Sequence, residues 1–522
     1  MKLVFFQESP LYEALAVHVV SAVLKSAGHS CDVLIESEEK NILQRISDIK
    51  PNVIAFSIMT RQQEWAIVKI QQLKKYFNVP ILIGGTHPTM YPETLKHSGA
   101  DYLCVGEGEQ AVVDLLNRLQ LKERTDNIPN IHANIDGKFI ENPIRPLLQT
   151  EDWGKLPLPD RSVYERYPFI SQLPLKRFIT SFGCAYKCSF CYINNFRETY
   201  KGKGKFFRRK SIERVIREIQ DVQAKYPLKR IHFVDDIFSQ DHHWVEKFLP
   251  IYSKEISIPW SANIWISHMN EHMVSLFKES GCVGLTFGVE SGNEESRLRL
   301  IDKNIPNEIY IKHCGYLKKH KILFHTGNII GLPGEGIDKA YETAQFNRKI
   351  GTTSTRAGLF WPFPGTQLTA YAVDHGMLSS EFSGEYINSV EYINRGIYPR
   401  VNHKDADELI IMASLFQLVS KWKWFEKFSR LLLKYPKNYF VKLIAQWVEQ
   451  VFWYHEARFF GLINWDGVKY YYHLRRSLKN IRSHDEQARP KEDFEAHRPF
   501  WHISKKDIFR TYKTAQDRDG LT

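Results

Sequence analysis

Short apolar runs and amphipathic stretches alternate along this chain in two long blocks, and no other feature narrows its fold as far. In the first block the runs are Lys2–Phe6, Cys31–Ile35, Val53–Ile58, Val79–Gly84 and Asp101–Val105. Stretches of helical period separate them: Leu15–Ala27, Ile42–Ile49, Trp65–Tyr76 and Tyr91–Ser98. Strand followed by helix, repeated about five times, predicts a doubly wound parallel sheet. Ligands of such sheets bind beyond the carboxyl ends of the strands. Those ends fall at 5–10, 57–60, 84–88 and 105–109. Turn signals at Asp136-Gly137 and Leu156–Asp160 mark 121–170 as connecting chain. The second block runs from about Lys176 to about Ala372, with candidate strands Arg177–Ser181, Arg230–Val234, Trp260–Asn263, Val283–Gly288, Leu323–Ile330 and Thr355–Phe360. Six βα-type units predict a partial or full α/β barrel. After about Met377 the pattern becomes helical and rich in aromatic residues.

Composition excludes several classes. The 522 residues are 43% hydrophobic and 25% charged, which suits globular domains and not a disordered or low-complexity chain. Seven cysteines in so long a chain are too few for a disulfide scaffold. The apolar run of MKLVFFQESP is too short for a secretory signal. No run of about 18 apolar residues predicts a spanning helix. A reducing cytoplasm is the default expectation. The net charge of +12 admits an anionic partner without naming one. It is concentrated in 421–480, where 12 basic and 4 acidic residues accompany 17 aromatics.

The densest chemistry lies in SFGCAYKCSFCY at 181–192, where Cys184, Cys188 and Cys191 have the spacing C-x₃-C-x₂-C. Three thiolates on one loop can ligate three irons of a [4Fe–4S] cluster and leave the fourth open. The alternatives are a zinc site, which usually takes four protein ligands, or three unrelated cysteines. With Phe190 inside the last gap, and following the first strand of a barrel-like region, the loop resembles that of the radical S-adenosylmethionine (SAM) superfamily. HFVDDIF (232–238), FGVESG (287–292), GNIIGLPGE (327–335) and PFPGTQL (362–368) resemble later strand-end motifs of that superfamily, in order. The resemblance covers roughly 170–380. It implies SAM contacts from Phe190, Asp235, Asp236, Glu290, Ser291, Gly327, Ile330 and Gly331. Asp235 or Asp236 suits the ammonium, Glu290 and Ser291 the ribose or carboxylate, and the glycines a close approach to adenine. Each short motif also reads as a helix cap or turn when taken alone.

The N-terminal block resembles the cobalamin-binding domains of B12-dependent radical SAM enzymes, through GGTHPTMYP (84–92) and VGEGE (105–109). That resemblance implies contacts to cobalamin from Ser57, Thr60, Gly84, Gly85, His87, Glu107 and Gly108. The Asp-x-His-x-x-Gly signature of methyl-carrier proteins is absent, which implies a cobalt without a histidine lower ligand. His18, on an apolar helix face, reads as a packed histidine.

The expected architecture is α/β: a flavodoxin/Rossmann-like cobalamin-binding domain (1–140), a connector (141–170), a radical SAM partial α/β barrel (171–380) and a mostly helical C-terminal region (381–522). The resemblance implies an enzyme that cleaves SAM to methionine and a 5′-deoxyadenosyl radical, then methylates an unactivated carbon or phosphorus centre through cobalamin. A cyclisation or rearrangement with the same cofactors is a second reading, and a non-catalytic iron–sulfur protein a third. The expected partners are a small apolar or anionic substrate and an electron donor such as a flavodoxin or ferredoxin. No nucleic-acid module is recognisable. The basic run 201–210 reads as a solvated loop or an anion contact. The segment 408–480 reads as helices covering the barrel or, more sharply, as a surface in peripheral contact with a membrane.

Overall fold

Along β1 (Lys2–Gln7), Leu3 and Phe5 enter one apolar core while Val4 and Phe6 enter another. A strand that is apolar on both sides must be covered on both sides, as strands are inside a doubly wound sheet. β2 (Ser30–Ile35), β3 (Val53–Ser57), β4 (Ile81–Gly84) and β5 (Tyr102–Cys104) complete the parallel part, in the order β2-β1-β3-β4-β5. Two antiparallel strands, β6 (Ile131–Ile135) and β7 (Lys138–Ile140), extend it. They replace part of the expected connecting chain. Asp136 (φ 51°) and Gly137 (φ 77°) form their tight turn, both in the left-handed region that a two-residue hairpin requires. This structure is a computed structural model, and it describes residues 1–8, 13–363, 365–378, 401–445, 447, 448 and 472.

The second sheet is built differently. β8 (Leu175–Phe178) is followed by a short antiparallel pair, β9 (Ser181–Phe182) with β10 (Arg208–Arg209). β11 (Arg230–Phe233), β12 (Trp260–Asn263), β13 (Cys282–Glu290), β14 (Leu323–Ile330) and β15 (Ser354–Leu359) then give the all-parallel order β15-β14-β13-β12-β11-β8. The outer face is apolar. Phe233, Trp260, Ala262, Leu285, Phe287 and Val289 enter the core beneath the surrounding helices. The inner face carries His232, Ser261, Asn263, Thr286, Gly288, His325 and Gly327, which strand alternation and register place side by side. His232 and Ser261 are buried at its base, while Asn263, Thr286, Gly288, His325 and Gly327 are half-buried, so the face lines a cleft toward the carboxyl ends of the strands. Helices between the strands start at side-chain caps: Asn41, Ser211, Asp241 and Asn270 each accept an N–H of the first turn.

Helices Ala406–Lys421 and Lys423–Leu432 pack on helix Ile337–Ile350 through Leu409, Met412, Phe416 and Phe425. No helix among the described residues is long and apolar enough to cross a membrane. Trp453, Trp465 and the polar stretch after Ser483 lie outside the described residues.

Candidate functional site

The cysteine loop leaves the carboxyl end of β8 and is clamped along its length. Gly183 has φ +85°, and a Cβ there would stand 2.6 Å from the Phe206 carbonyl oxygen, so the position requires glycine. Arg197, from helix Ile193–Thr199, donates to the carbonyls of Cys184 and Tyr186. Gln240 accepts from Ala185 N at 2.9 Å, and Asn194 Nδ2 donates to Cys188 O at 3.0 Å. Tyr186 stacks on Trp265 at 3.7 Å between ring centres, and its hydroxyl lies 2.7 Å from His268 Nε2. Cys188 is buried, while Cys184 and Cys191 are half-buried. Burial pushes the Cys188 thiol up to about 12 and the Cys191 thiol up to about 11. Thiolates here are costly unless positive charge sits beside them, which is what a cluster supplies. No three His, Cys, Asp or Glu side chains among the described residues are close enough to hold a single ion. Zinc usually takes four protein ligands on one ion, whereas a cubane spreads three thiolates over three irons. The donor set and the clamped loop fit a [4Fe–4S] cluster.

The two aspartates beyond β11 part company. Asp235 is fully buried, and its Oδ1 accepts from Thr180 N (3.0 Å), Thr180 Oγ1 (2.8 Å) and Ser181 Oγ (2.5 Å), pinning the root of the loop. Asp236 is open to solvent yet ringed by protein, facing Cys184, Cys191 and Tyr192. Crowding by protein, then the charge of Asp235, raises its carboxyl to about 6. Of the two, Asp236 alone presents its carboxylate beside the cysteine loop.

At the end of β13, Glu290 adopts φ +63° at a bulge and folds its carboxylate back over Gly288. Lys303 Nζ donates to Glu290 Oε1 at 3.0 Å and to Gly288 O at 2.6 Å. Burial works against this ammonium, but Glu290 outweighs it and holds Lys303 above its ordinary value. Lys303 also lies over Trp265, 4.7 Å from its ring centre, so the pair touches the ring that braces the cysteine loop. Ser291 is fully buried, with its hydroxyl accepting from Asn293 N and its carbonyl accepting from Arg297. It is spent on the turn and is not presented to the cleft.

On β14, Gly327 faces the cleft with open space where a Cβ would be. Ile330 does not: alternation turns it to the outer face against Ala340, Tyr341 and Leu409. Ile329, its neighbour, and Phe190 of the cysteine loop both pack against the cluster of Ile301, Leu332, Phe360 and Leu368. Gly331 (φ +67°) is covered by Leu409 and by His403, whose Nε2 lies 2.9 Å from Gly331 O.

In the first sheet, Ser57 and Thr60 sit half-buried at the end of β3, beside Gly84 and Gly85 at the end of β4. Gly85 has φ +102°, and a Cβ would meet the Ile58 backbone at 2.6 Å. Two hydroxyls above a side-chain-free strand end fit a large polar cofactor. His87 does not belong to that surface. It is buried, with Thr60 Oγ1 3.4 Å from Nδ1 and Thr94 Oγ1 3.1 Å from Nε2, and burial lowers its pKa to about 4. Gly108 packs on Val112, Cys104 and Val20 at the start of helix Glu109–Leu121. His18 is buried as read, with Glu13 beside it at 3.2 Å.

Glu107 joins the two sheets. Its Oε1 accepts from Arg208 Nη1 at 2.5 Å, and its Oε2 accepts from Leu148 N at 2.7 Å. Its backbone N–H donates to Tyr200 Oη at 3.0 Å, and a Cβ at Gly106 would stand 1.6 Å from that hydroxyl. Tyr200 and Arg208 follow the cysteine loop in the chain, so Glu107 is engaged in the junction between the two sheets. The short helix Thr86–Met90, beyond β4, touches helix Ile193–Thr199 from the cysteine loop. The carboxyl ends of the two sheets thus face each other. Lys303, Arg197 and Tyr200 escaped the sequence, because none stands in a motif and each acts across a gap in the chain, whereas Arg208 belongs to the basic run 201–210 expected as a solvated loop or an anion contact and is instead buried against Glu107.

Comparison with known proteins agrees with this division. Residues 9–116 match the B12 binding domain family, and residues 178–346 match the radical SAM superfamily. An uncharacterized methyltransferase of Pyrococcus horikoshii is 30% identical over 304 residues, covering 58% of this chain. The match spans 64% of that relative's length, a little under two thirds. The cytidylyl-2-hydroxyethylphosphonate methyltransferase of Streptomyces wedmorensis is 23% identical over 420 residues, 72% of this chain and 76% of the relative. Among solved structures, the radical SAM methyltransferase TsrM of Kitasatospora setae, with tryptophan substrate and a SAM analogue bound, gives a TM-score of 0.60 at 16% identity. It covers 72% of this chain and 76% of its own. The cobalamin-dependent SAM radical enzyme OxsB with aqua-cobalamin gives 0.61 at 14% identity, over 98% and 84%. At such identities the likeness is one of fold.

Proposed function

We propose that this chain, a member of the radical SAM superfamily with an N-terminal B12-binding domain, is a cobalamin-dependent methyltransferase acting on a carbon or phosphorus centre of a small molecule. The observation that carries the reading is the junction at Glu107, Tyr200 and Arg208, which turns the strand ends of one sheet toward the cysteine loop of the other. Such an arrangement suits a substrate held between two cofactors. Cys184, Cys188 and Cys191 would hold the [4Fe–4S] cluster, and Asp236, Glu290 and Gly327 would line SAM. Ser57, Thr60, Gly84 and Gly85 would receive cobalamin. When bound, these groups supply a 5′-deoxyadenosyl radical and a transferable methyl group. The chain's own work is placement: Arg197 and Tyr186 fix the loop, Lys303 sets the rotamer of Glu290, and Asp236 offers a carboxylate to the SAM ammonium.

Arg356 stands on the inner face of β15, level with Gly327 and exposed to the cleft. It favours a substrate with an acidic group, in keeping with the phosphonate named for the Streptomyces relative. The radical half needs a low-potential electron, so we assign a flavodoxin or ferredoxin as donor and a reducing cytoplasm as the compartment.

The test needs no substrate. The protein is reconstituted anaerobically with iron and sulfide, given cobalamin, SAM and a strong reductant, and assayed by mass spectrometry beside Cys184→Ala. Cysteine-dependent 5′-deoxyadenosine together with cobalamin-dependent S-adenosylhomocysteine is expected. Deoxyadenosine without S-adenosylhomocysteine would favour the rearrangement reading over methyl transfer. Neither product, with the cluster intact, would overturn both.

A further inference from the structure

Sixteen large hydrophobic side chains are exposed among the described residues, and eight of them fall in 422–447. That density marks a surface with a partner, since isolated exposed apolar residues need no explanation but a contiguous set does. Helix Lys423–Leu432 is strongly amphipathic, and its broad apolar side is buried along one edge and exposed along the other. Phe425, Ser429 and Leu433 look inward, where Ser429 Oγ meets Tyr341 Oη at 2.9 Å and Glu426 pairs with Arg348 at 2.6 Å. Trp424 (64% exposed), Phe428 (40%) and Leu431 (56%) fall at i, i+4 and i+7 on the outer side of the helix, and Tyr435 (65%) lies exposed just beyond its end. Trp422 stacks on Trp424 at 5.9 Å, and Phe440 and Trp447 continue the exposed set beyond the helix.

The flanks of this stripe are basic. Residues 422–448 hold six Lys or Arg and one acidic residue, Glu426, which is already committed inward. Lys423, Lys427 and Lys434 are exposed and have no carboxylate partner among the described residues. A second copy of this face would bring like charges together. The chain beyond it offers no complement either, because 449–522 is itself net positive, by three. Tryptophan, tyrosine and phenylalanine on one stripe with lysines along its edges is the composition that settles at a lipid headgroup layer, with apolar rings in the acyl boundary and ammonium groups on phosphates.

We propose that the outer face of 422–447 is a peripheral docking surface for a bilayer carrying anionic lipid, placing the enzyme at a membrane without crossing it. The full-length protein is mixed with vesicles of phosphatidylcholine and phosphatidylglycerol, roughly 2:1, and with phosphatidylcholine alone, and floated through a density gradient. The expected result is flotation with the anionic vesicles, weakened by high salt and by Lys423→Glu/Lys427→Glu/Lys434→Glu. Trp424→Ser/Phe428→Ser/Leu431→Ser should lower the bound-to-free ratio about tenfold or more while leaving far-ultraviolet circular dichroism and the melting temperature unchanged. Three outcomes would overturn the proposal: no flotation of the native protein, flotation unaffected by the apolar triple variant, or light scattering that shows a dimer dissolved by that variant with no vesicle binding.

Discussion

Glu13 illustrates how a single buried carboxylate sets the response of this protein to acid. Burial alone would raise its pKa, but Arg161 at 3.0 Å and His18 at 3.2 Å outweigh burial and hold it well below the ordinary range. A carboxyl depressed in the folded state stabilises the fold above its unfolded value and ceases to do so as pH falls through the folded one. Apparent stability should therefore decline as pH drops below 4.5, the ordinary glutamate value. Glu13→Gln should flatten that acid limb in a series of melting curves. At neutral pH it should cost about 3–5 kcal/mol by leaving the buried Arg161 unpaired. Lys303 and Glu290 allow a parallel test by double-mutant cycle. Lys303→Met leaves Glu290 and the Gly288 carbonyl without their donor and should cost about 3–5 kcal/mol in denaturant unfolding. Adding Glu290→Gln should recover part of that loss, which two independent sites would not do.

At the scale of elements, the cysteine loop depends on a turn that tolerates no side chain. Gly183→Ala meets two obstacles, a left-handed backbone and the Phe206 carbonyl. Gly202→Ala meets only the first: its φ is +75° and the space around it is open. Iron and sulfide bound after reconstitution should fall several-fold in Gly183→Ala and stay near native in Gly202→Ala, because the strain at φ > 0 alone is about 1–2 kcal/mol. Equal retention in both variants would mean that the loop adapts. The reasons for this loop were largely legible in the sequence. Short apolar runs between stretches of helical period marked the strands, and the cysteine spacing marked the loop after the first strand of the second block. What the sequence withheld was facing. Ile329 and Ile330 are equivalent in a string of letters and opposite on a strand, where alternation decides which of them enters the cleft. Asp235 and Asp236 lie in the turn beyond β11, where tertiary hydrogen bonds to Thr180 and Ser181 decide which is buried. The hairpin β6–β7 was missed for a related reason: its turn was visible, but strands of five and three residues give too short a period to stand out.

The whole molecule turns on the junction between its sheets, and that junction can be tested without any cofactor. Arg208 is buried, donates to Glu107 and to the Leu148 carbonyl (2.7 Å), and lies over Trp153 and Phe182, 5.1 and 5.7 Å from the two ring centres. It therefore binds the first sheet, the connecting chain and the cysteine-loop hairpin with one side chain. Tyr200 contributes a weaker tie, a single hydrogen bond to Glu107 N. Arg208→Gln keeps some polarity but loses the charge and the reach of the fork, and it strands the Glu107 carboxylate. Such a break costs about 3–5 kcal/mol, enough to open the junction locally while both cores stand. Amide hydrogen exchange should accelerate at 105–109, 147–150 and 206–209 and stay unchanged in β11 to β13, whose residues pack within their own core. Tyr200→Phe should produce a smaller change confined to 105–109. Acceleration across β11 to β13 as well would show that Arg208 supports the barrel itself, and no acceleration anywhere would show that the two sheets are held by apolar packing alone. In either case the facing of the strand ends would lose its ionic basis, and the placement of a substrate between two cofactors would need another explanation.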